Sequence, residues 1–324
     1  MVIAVYLEHE VPIFSPTEEQ IARFRARFET LRPFEPSNLR TFEPPVVLPC
    51  RSEPEFLAAL PRAELAVVWT FRQEWFALAP RLRAVCTPAA GRDYFRVVPP
   101  PGVELRYGSF HGAIMGETAA ACVLALSHGV LPFAAEAGEP WPRPAFAARA
   151  RRLAGATVLI LGFGRIGRAA GRFLKPFGPR VLGVSRGVHP APDWFGPEDR
   201  VATAEELDAL LPLADHVLCF LPSGPETDRL LDARRLALLK PTAFLCNFGR
   251  GNLLDEDALA AALRAGRLAG AVLDVFREEP LPASSPLRDA PNCRLLPHAS
   301  AFSPDYLDLC FEELARTILP PPRP

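Results

Sequence analysis

The chain carries almost no net charge. Across 324 residues, 36 Lys and Arg against 37 Asp and Glu leave −1 with histidine neutral. So balanced a surface lacks the basic footprint that nucleic acid or an anionic membrane demands, and neither partner is expected. Lysine is nearly missing, with Lys175 and Lys240 the only two, a bias that coding preference explains as well as thermal adaptation does. No window offers about 18 uncharged apolar residues, so no transmembrane helix is expected. The opening MVIAVYLEHE lacks the basic start and long apolar run of a signal peptide and reads as a short strand. Cysteine is present as seven single residues (Cys50, Cys86, Cys122, Cys219, Cys246, Cys293, Cys310) with no Cys-x-x-Cys pair, which points away from a disulfide framework or a thiolate metal set. Reduced, mostly buried thiols and no metal fit a cytoplasmic protein that works on small molecules.

What is present is enough apolar residue, 49%, for about two domains at this length. Short β-rich runs alternate with longer stretches of helical spacing, the pattern of a parallel α/β architecture. In the first third VIAVYL, LAVVW and RAVCT read as strands. Ser15-Pro16-Thr17-Glu18 predicts a helix start, with Ser15 as N-cap, Pro16 at N1 and Glu18 at N3, followed by a face of Ile21, Phe24, Phe28 and Leu31. A helix is expected from near Gly116 to about Ala135, then a surface arm at EPWPRP. Both are apolar and extended enough to bury against a second copy, so a two-fold homodimer is expected. Five further runs, ATVLILG, RVLGVS, HVLCFLP, TAFLCNF and LAGAVLDV, predict a doubly wound parallel sheet over residues 111–299. Residues 1–110, completed by the helical segment in 300–324, form a smaller α/β domain.

Thr157–Leu161 reads as a buried strand, and Gly162-Phe163-Gly164-Arg165-Ile166-Gly167 follows at once and opens a helix. Strand, glycine turn and helix together form the Rossmann fingerprint for a dinucleotide. The first glycine permits the turn, the second lets backbone approach a pyrophosphate, the third allows close packing, and the helix N-terminus offers free N–H groups. An acid at the end of the next strand would select a free ribose, but RVLGVSRGVHP has Ser185 and Arg186 there. A hydroxyl and a guanidinium both bond a 2′-phosphate, so NADP is favoured and NAD stays possible, with a solvent-facing Arg186 as the other reading. Pro222, just beyond HVLCFL, lies at the carboxyl edge where such sheets bind ligands.

From Leu153 onward the chain resembles the D-isomer-specific 2-hydroxyacid dehydrogenases, among them glyoxylate and hydroxypyruvate reductases. LAGATVLILGFGRIGR, LPSGPETDRLLD, NFGRGNLLDEDAL, GAVLDVFREEPLP and LPHASAF carry the resemblance, in that order. It implies catalytic roles for Arg250, Glu279 and His298. Chemistry favours the same three. Reduction of a 2-keto acid needs a cation for carboxylate and carbonyl, a proton donor at the carbonyl oxygen and an acid that keeps that donor charged. The resemblance further implies Asp274 at the nicotinamide carboxamide and Thr227 near the cofactor. The fold it implies is a Rossmann cofactor domain plus a flavodoxin-like substrate domain.

The first hundred residues follow the family only in general pattern. Where relatives carry a glycine-rich, carboxylate-binding loop, this chain has CTPAAGRDYF. Ala89, Ala90 and Gly91 are then the expected backbone donors, and Arg72 and Arg92 are candidate contacts for a substrate's second anionic group. Asn247 is expected to shape the turn before Arg250. His111 stands where the chain passes between domains, while His9, His128 and His216 read as structural. Two other activities remain open at this point: a formate- or phosphite-type dehydrogenase on the same fold, and a nucleotide-sensing protein resembling corepressors.

Overall fold

The structure, a computed structural model, describes residues 1–30, 43–133, 143–187 and 190–318. Leu31, most of the expected EPWPRP arm and His189, a further expected candidate for the 2′-phosphate site, lie outside them. The chain divides into two compact units, Met1–Phe110 with Phe302–Pro324, and His111–Ala301. No helix among the described residues is long and apolar enough to cross a membrane.

The smaller unit is built on β1 (Val2–Tyr6), β2 (Val46–Pro49), β3 (Leu65–Val68), β4 (Ala84–Thr87) and β5 (Glu104–Tyr107). All pair in parallel in the order β2-β1-β3-β4-β5, which is the flavodoxin-like order. The inner strands β3 and β4 are buried throughout, as a sheet covered on both faces requires. The first helix corrects the expected cap. It spans Glu18–Thr30, and Thr17 with Gln20 closes the capping box: Gln20 N–H donates to Thr17 Oγ1 at 3.1 Å and Thr17 N–H to Gln20 Oε1 at 3.0 Å. Ser15 is drawn the other way, its hydroxyl bonding the backbone of His9. Ile21, Phe24 and Phe28 are buried, and Phe24 stacks at 4.6 Å on Phe311 of the final helix, Tyr306–Ile318.

The larger unit carries seven parallel strands: β6 (Thr157–Leu161), β7 (Arg180–Ser185), β8 (Arg200–Thr203), β9 (His216–Cys219), β10 (Phe244–Asn247), β11 (Gly270–Leu273) and β12 (Cys293–Leu295). Their order, β12-β11-β10-β9-β6-β7-β8, is the doubly wound Rossmann order, reversing between β6 and β9. Side chains alternate across β6, so that Leu159 and Leu161 join one apolar core and Val158 and Ile160 the other. The edge strand β8 goes beyond the expected runs.

The long helix runs Gly112–Ser127 instead of starting near Gly116. Gly116 lies inside it because a Cβ there would come within 2.8 Å of Phe173 Cδ2, on the neighbouring helix Arg165–Leu174. The glycine serves that close packing, so it does not mark a helix end. A separate turn of helix, Val130–Phe133, follows Gly129, whose φ of 73° breaks the run.

Candidate active site

The glycine turn sits at the carboxyl end of β6, beside the point where strand order reverses. Gly162 holds φ 90°, and a Cβ on it would meet the Phe220 carbonyl carbon at 2.9 Å, so no other residue fits. Gly167 lies against the Gly162 carbonyl oxygen, leaving no room for a methyl group. Gly164 is different: nothing lies within 4 Å of a Cβ built on it. The backbone there is bare, and Gly164 and Arg165 are exposed at the first turn of the helix while Phe163 is buried in the core. A pyrophosphate fits such a cradle, because the exposed helix N-terminus presents unpaired N–H groups and positive dipole. Ile166 is half-buried among core side chains.

At the end of β7, Ser185 Oγ donates to the Gly187 carbonyl at 2.7 Å, and Arg186 projects with its side chain 85% exposed. No acid follows in the described part of that turn.

Parallel register places Asn247, Leu273 and Leu295 side by side at the carboxyl ends of β10, β11 and β12, and Arg250, Glu279 and His298 follow these ends on successive loops. His298 Nδ1 and Glu279 Oε2 are 2.8 Å apart. The other Glu279 oxygen accepts the Phe276 N–H at 2.9 Å. The hydrogen bond with Glu279 raises the His298 pKa above its ordinary value; burial opposes it, the charges of Glu279 and Asp274 add to it, and Arg250 works against it. Burial alone would raise the Glu279 carboxyl, but the His298 and Phe276 hydrogen bonds and the charges of His298 and Arg250 outweigh it and hold the group below its ordinary range. Arg250 is therefore close enough to act electrically on both partners.

Three supports hold this arrangement. Asn247, fully buried, bridges the turn before Arg250: its Nδ2 donates to the Arg250 carbonyl at 3.0 Å and its Oδ1 accepts the Gly249 N–H at 3.1 Å. Gly251 lies so close to the Phe276 carbonyl that any side chain would overlap it, which presses the Arg250 loop onto the loop leading to Glu279. Asp274, also fully buried, accepts the N–H groups of Ala299 at 2.6 Å and Ser300 at 3.0 Å, while its carbonyl takes the His298 N–H at 2.9 Å. These bonds fix His298 at φ 52°, a left-handed conformation a histidine adopts only when its surroundings impose it. Asp274, expected at the carboxamide, thus has both oxygens engaged in positioning the histidine loop. Sequence reasoning overlooked Gly251; its signal is the pair of glycines flanking Arg250.

The remaining expected residues fall elsewhere. Pro222 and Thr227 belong to one turn after β9, where Thr227 Oγ1 donates to the carbonyls of Pro222 at 2.9 Å and Gly224 at 3.0 Å. In the smaller unit, Ala90 and Gly91 follow β4, and no acceptor among the described residues is bonded to their N–H groups. Ala89 N–H instead donates to Thr87 Oγ1 at 3.3 Å. Arg92 is exposed. Arg72 is engaged, with both terminal nitrogens 2.9 Å from the Glu53 carboxylate and its guanidinium over the Trp75 ring. His111 is buried, which pushes its pKa down to about 4. His216 opens the central strand β9, at the amino end and away from the carboxyl ends that carry the site, and is bonded to Ser127 Oγ at 2.9 Å.

Residues 120–300 match the family described as D-isomer specific 2-hydroxyacid dehydrogenase, NAD binding domain. Glyoxylate/hydroxypyruvate reductase B of Yersinia pestis (strain Pestoides F) is 36% identical over 263 residues, 76% of this chain and 77% of that one. The protein of the same name from Pectobacterium carotovorum subsp. carotovorum (strain PC1) is 40% identical over 234 residues, 68% and 69% of the two chains. Among solved structures, an NADPH-dependent glyoxylate/hydroxypyruvate reductase from Sinorhizobium meliloti, in complex with NADP and sulfate, is similar with a TM-score of 0.71 and 26% identity, covering 98% of this chain and 96% of that chain.

Proposed function

The chain belongs to the D-isomer specific 2-hydroxyacid dehydrogenase family, and from that premise we propose that it reduces small 2-keto acids of the glyoxylate and hydroxypyruvate type, with NADPH preferred. It is an NAD(P)-dependent oxidoreductase on a Rossmann sheet. The observation that carries the reading is the 2.8 Å pair of His298 and Glu279, with Arg250 acting on both partners.

Gly162, Gly164, Arg165, Ile166 and Gly167 would hold the pyrophosphate, Ser185 and Arg186 the adenosine ribose, and the Pro222–Thr227 turn would border them. When bound, the reduced nicotinamide supplies the hydride that the keto carbon accepts. Arg250 binds the substrate carboxylate and polarises the carbonyl through its bidentate fork. His298, protonated, gives its proton to the oxygen as that atom takes up charge, and the neutral ring is recharged from solvent. Glu279 stabilises the imidazolium before transfer and keeps the ring oriented. In the smaller unit, the bare N–H groups of Ala90 and Gly91 can bind an anion, with the exposed Arg92 next to them in the chain. Arg72, already tied to Glu53, is not assigned. A formate reading uses this site poorly, since hydride loss from formate leaves carbon dioxide with no oxygen to protonate.

The seven free cysteines support a reducing, cytoplasmic setting. Val130, Phe173 and Phe177, all exposed on the larger unit, support a homodimer, testable by light scattering at micromolar concentration. The function itself is tested by following NADPH and NADH oxidation with a panel of 2-keto acids. Keto-acid-dependent turnover, faster with NADPH, is expected; none with either cofactor would refute the proposal.

A further inference from the structure

The end of β7 lacks the acid that would select a free ribose, yet a carboxylate reaches the same place from another strand. Arg186 Nη1 lies 3.8 Å from Glu226 Oε1. Glu226 follows β9, and β9 and β7 flank β6 on opposite sides, so the pair spans the point where the strand order reverses. The segment carrying Glu226 is fixed locally. Thr227 and Asp228 N–H both donate to the Gly224 carbonyl at 3.1 Å, and the Thr227 hydroxyl closes the turn onto Pro222 and Gly224. The carboxylate itself lies over Gly224, where a Cβ would come within 2.8 Å of Oε2. Gly224 and Thr227 therefore aim Glu226 towards Arg186.

This ion pair is long, and its side chains are 85% and 59% exposed, so it is weak and displaceable. A 2′-phosphate, nearly dianionic, must draw Arg186 away and settle beside a carboxylate of like charge. A free 2′-hydroxyl meets no such opposition and finds in Glu226 an acceptor for its proton.

We propose that Glu226 is a specificity-determining residue that restrains Arg186 and moderates the preference for NADP(H) over NAD(H). The inference rests on the assignment of Arg186 to the adenosine ribose. It gives Thr227 a reason for its place in the turn without a direct contact to the cofactor.

The test is calorimetric titration of the full chain with NADPH, NADH, adenosine 2′,5′-bisphosphate and AMP, which reads affinity without turnover. Glu226→Gln should tighten NADPH and the bisphosphate roughly three- to tenfold, the scale of one exposed charge contact, and leave NADH and AMP equal or weaker. Because Glu226 is exposed, the thermal midpoint should stay unchanged, which checks the fold. An NADPH-to-NADH ratio that stays the same or falls in Glu226→Gln overturns the inference. Arg186→Ala separates the two levels. If it removes the NADPH advantage while Glu226→Gln changes nothing, Glu226 alone loses its role. If Arg186→Ala also leaves the ratio unaltered, the ribose assignment fails and the inference with it.

Discussion

Glu279 and His298 share a 2.8 Å hydrogen bond through Oε2 and Nδ1, and that bond is the largest influence raising the His298 pKa. Reduction requires the protonated ring, so its rate should fall as pH rises through the His298 pKa. Removing the carboxylate charge destabilises the imidazolium. Glu279→Gln should therefore move the descending limb of kcat/KM for reduction to lower pH. A limb that stays in place would separate Glu279 from the proton donor.

Arg250 is placed by glycines on both sides and by the Asn247 bridge, which suits a guanidinium that must meet two substrate oxygens at once. Lysine keeps the charge and loses the fork. Arg250→Lys should lower kcat/KM for keto acids by about a hundredfold or more, with the NADPH dissociation constant unchanged. An equal loss in cofactor binding would argue that Arg250 shapes the fold of the edge and not the substrate.

The glycines of the turn should separate by experiment. Gly164 has open space where a Cβ would stand and Gly167 has none. Gly164→Ala should fold with a thermal midpoint within about 2 °C of wild type and bind dinucleotide poorly. Gly167→Ala should lose about 1–3 kcal/mol of stability through overpacking. The reverse order would contradict the assignment of Gly164 to backbone–phosphate approach.

Much of this was legible because physics leaves few residues that fit. A strand followed by a turn at φ 90° and a tightly packed helix admits glycine alone, and Arg250, Glu279 and His298 each follow a strand end in one register. The edge strands β5 and β8 were not legible: Glu104-Leu105-Arg106-Tyr107 and Arg200-Val201-Ala202-Thr203 are short and partly exposed, so they show no apolar run. The helix start was misplaced by two residues because Ser15-Pro16-Thr17-Glu18 and Thr17-Glu18-Glu19-Gln20 both fit a capping box, and only the bonds made by Ser15 decide between them. Pairs such as Arg72 with Glu53 and Arg186 with Glu226 are set by three-dimensional packing, which spacing in the chain does not encode.

That helix start gives a stability check free of the chemistry. Thr17→Ala removes the hydroxyl that accepts the Gln20 N–H but leaves the Thr17 N–H that donates to Gln20 Oε1, and should cost about 1 kcal/mol, whereas Ser15→Ala, outside the cap, should cost less. Chemical denaturation of the two variants reads the difference directly.

The central claim is that His298 passes a proton in opposite senses in the two directions of one reaction. Measuring kcat/KM across pH for keto-acid reduction and for hydroxy-acid oxidation, with cofactor saturating, tests it most directly. Reduction should fall and oxidation should rise through a shared pKa displaced above that of a free imidazole, the direction the Glu279 bond imposes. Limbs that run in the same direction, or a shared pKa at or below that of free imidazole, would contradict the account.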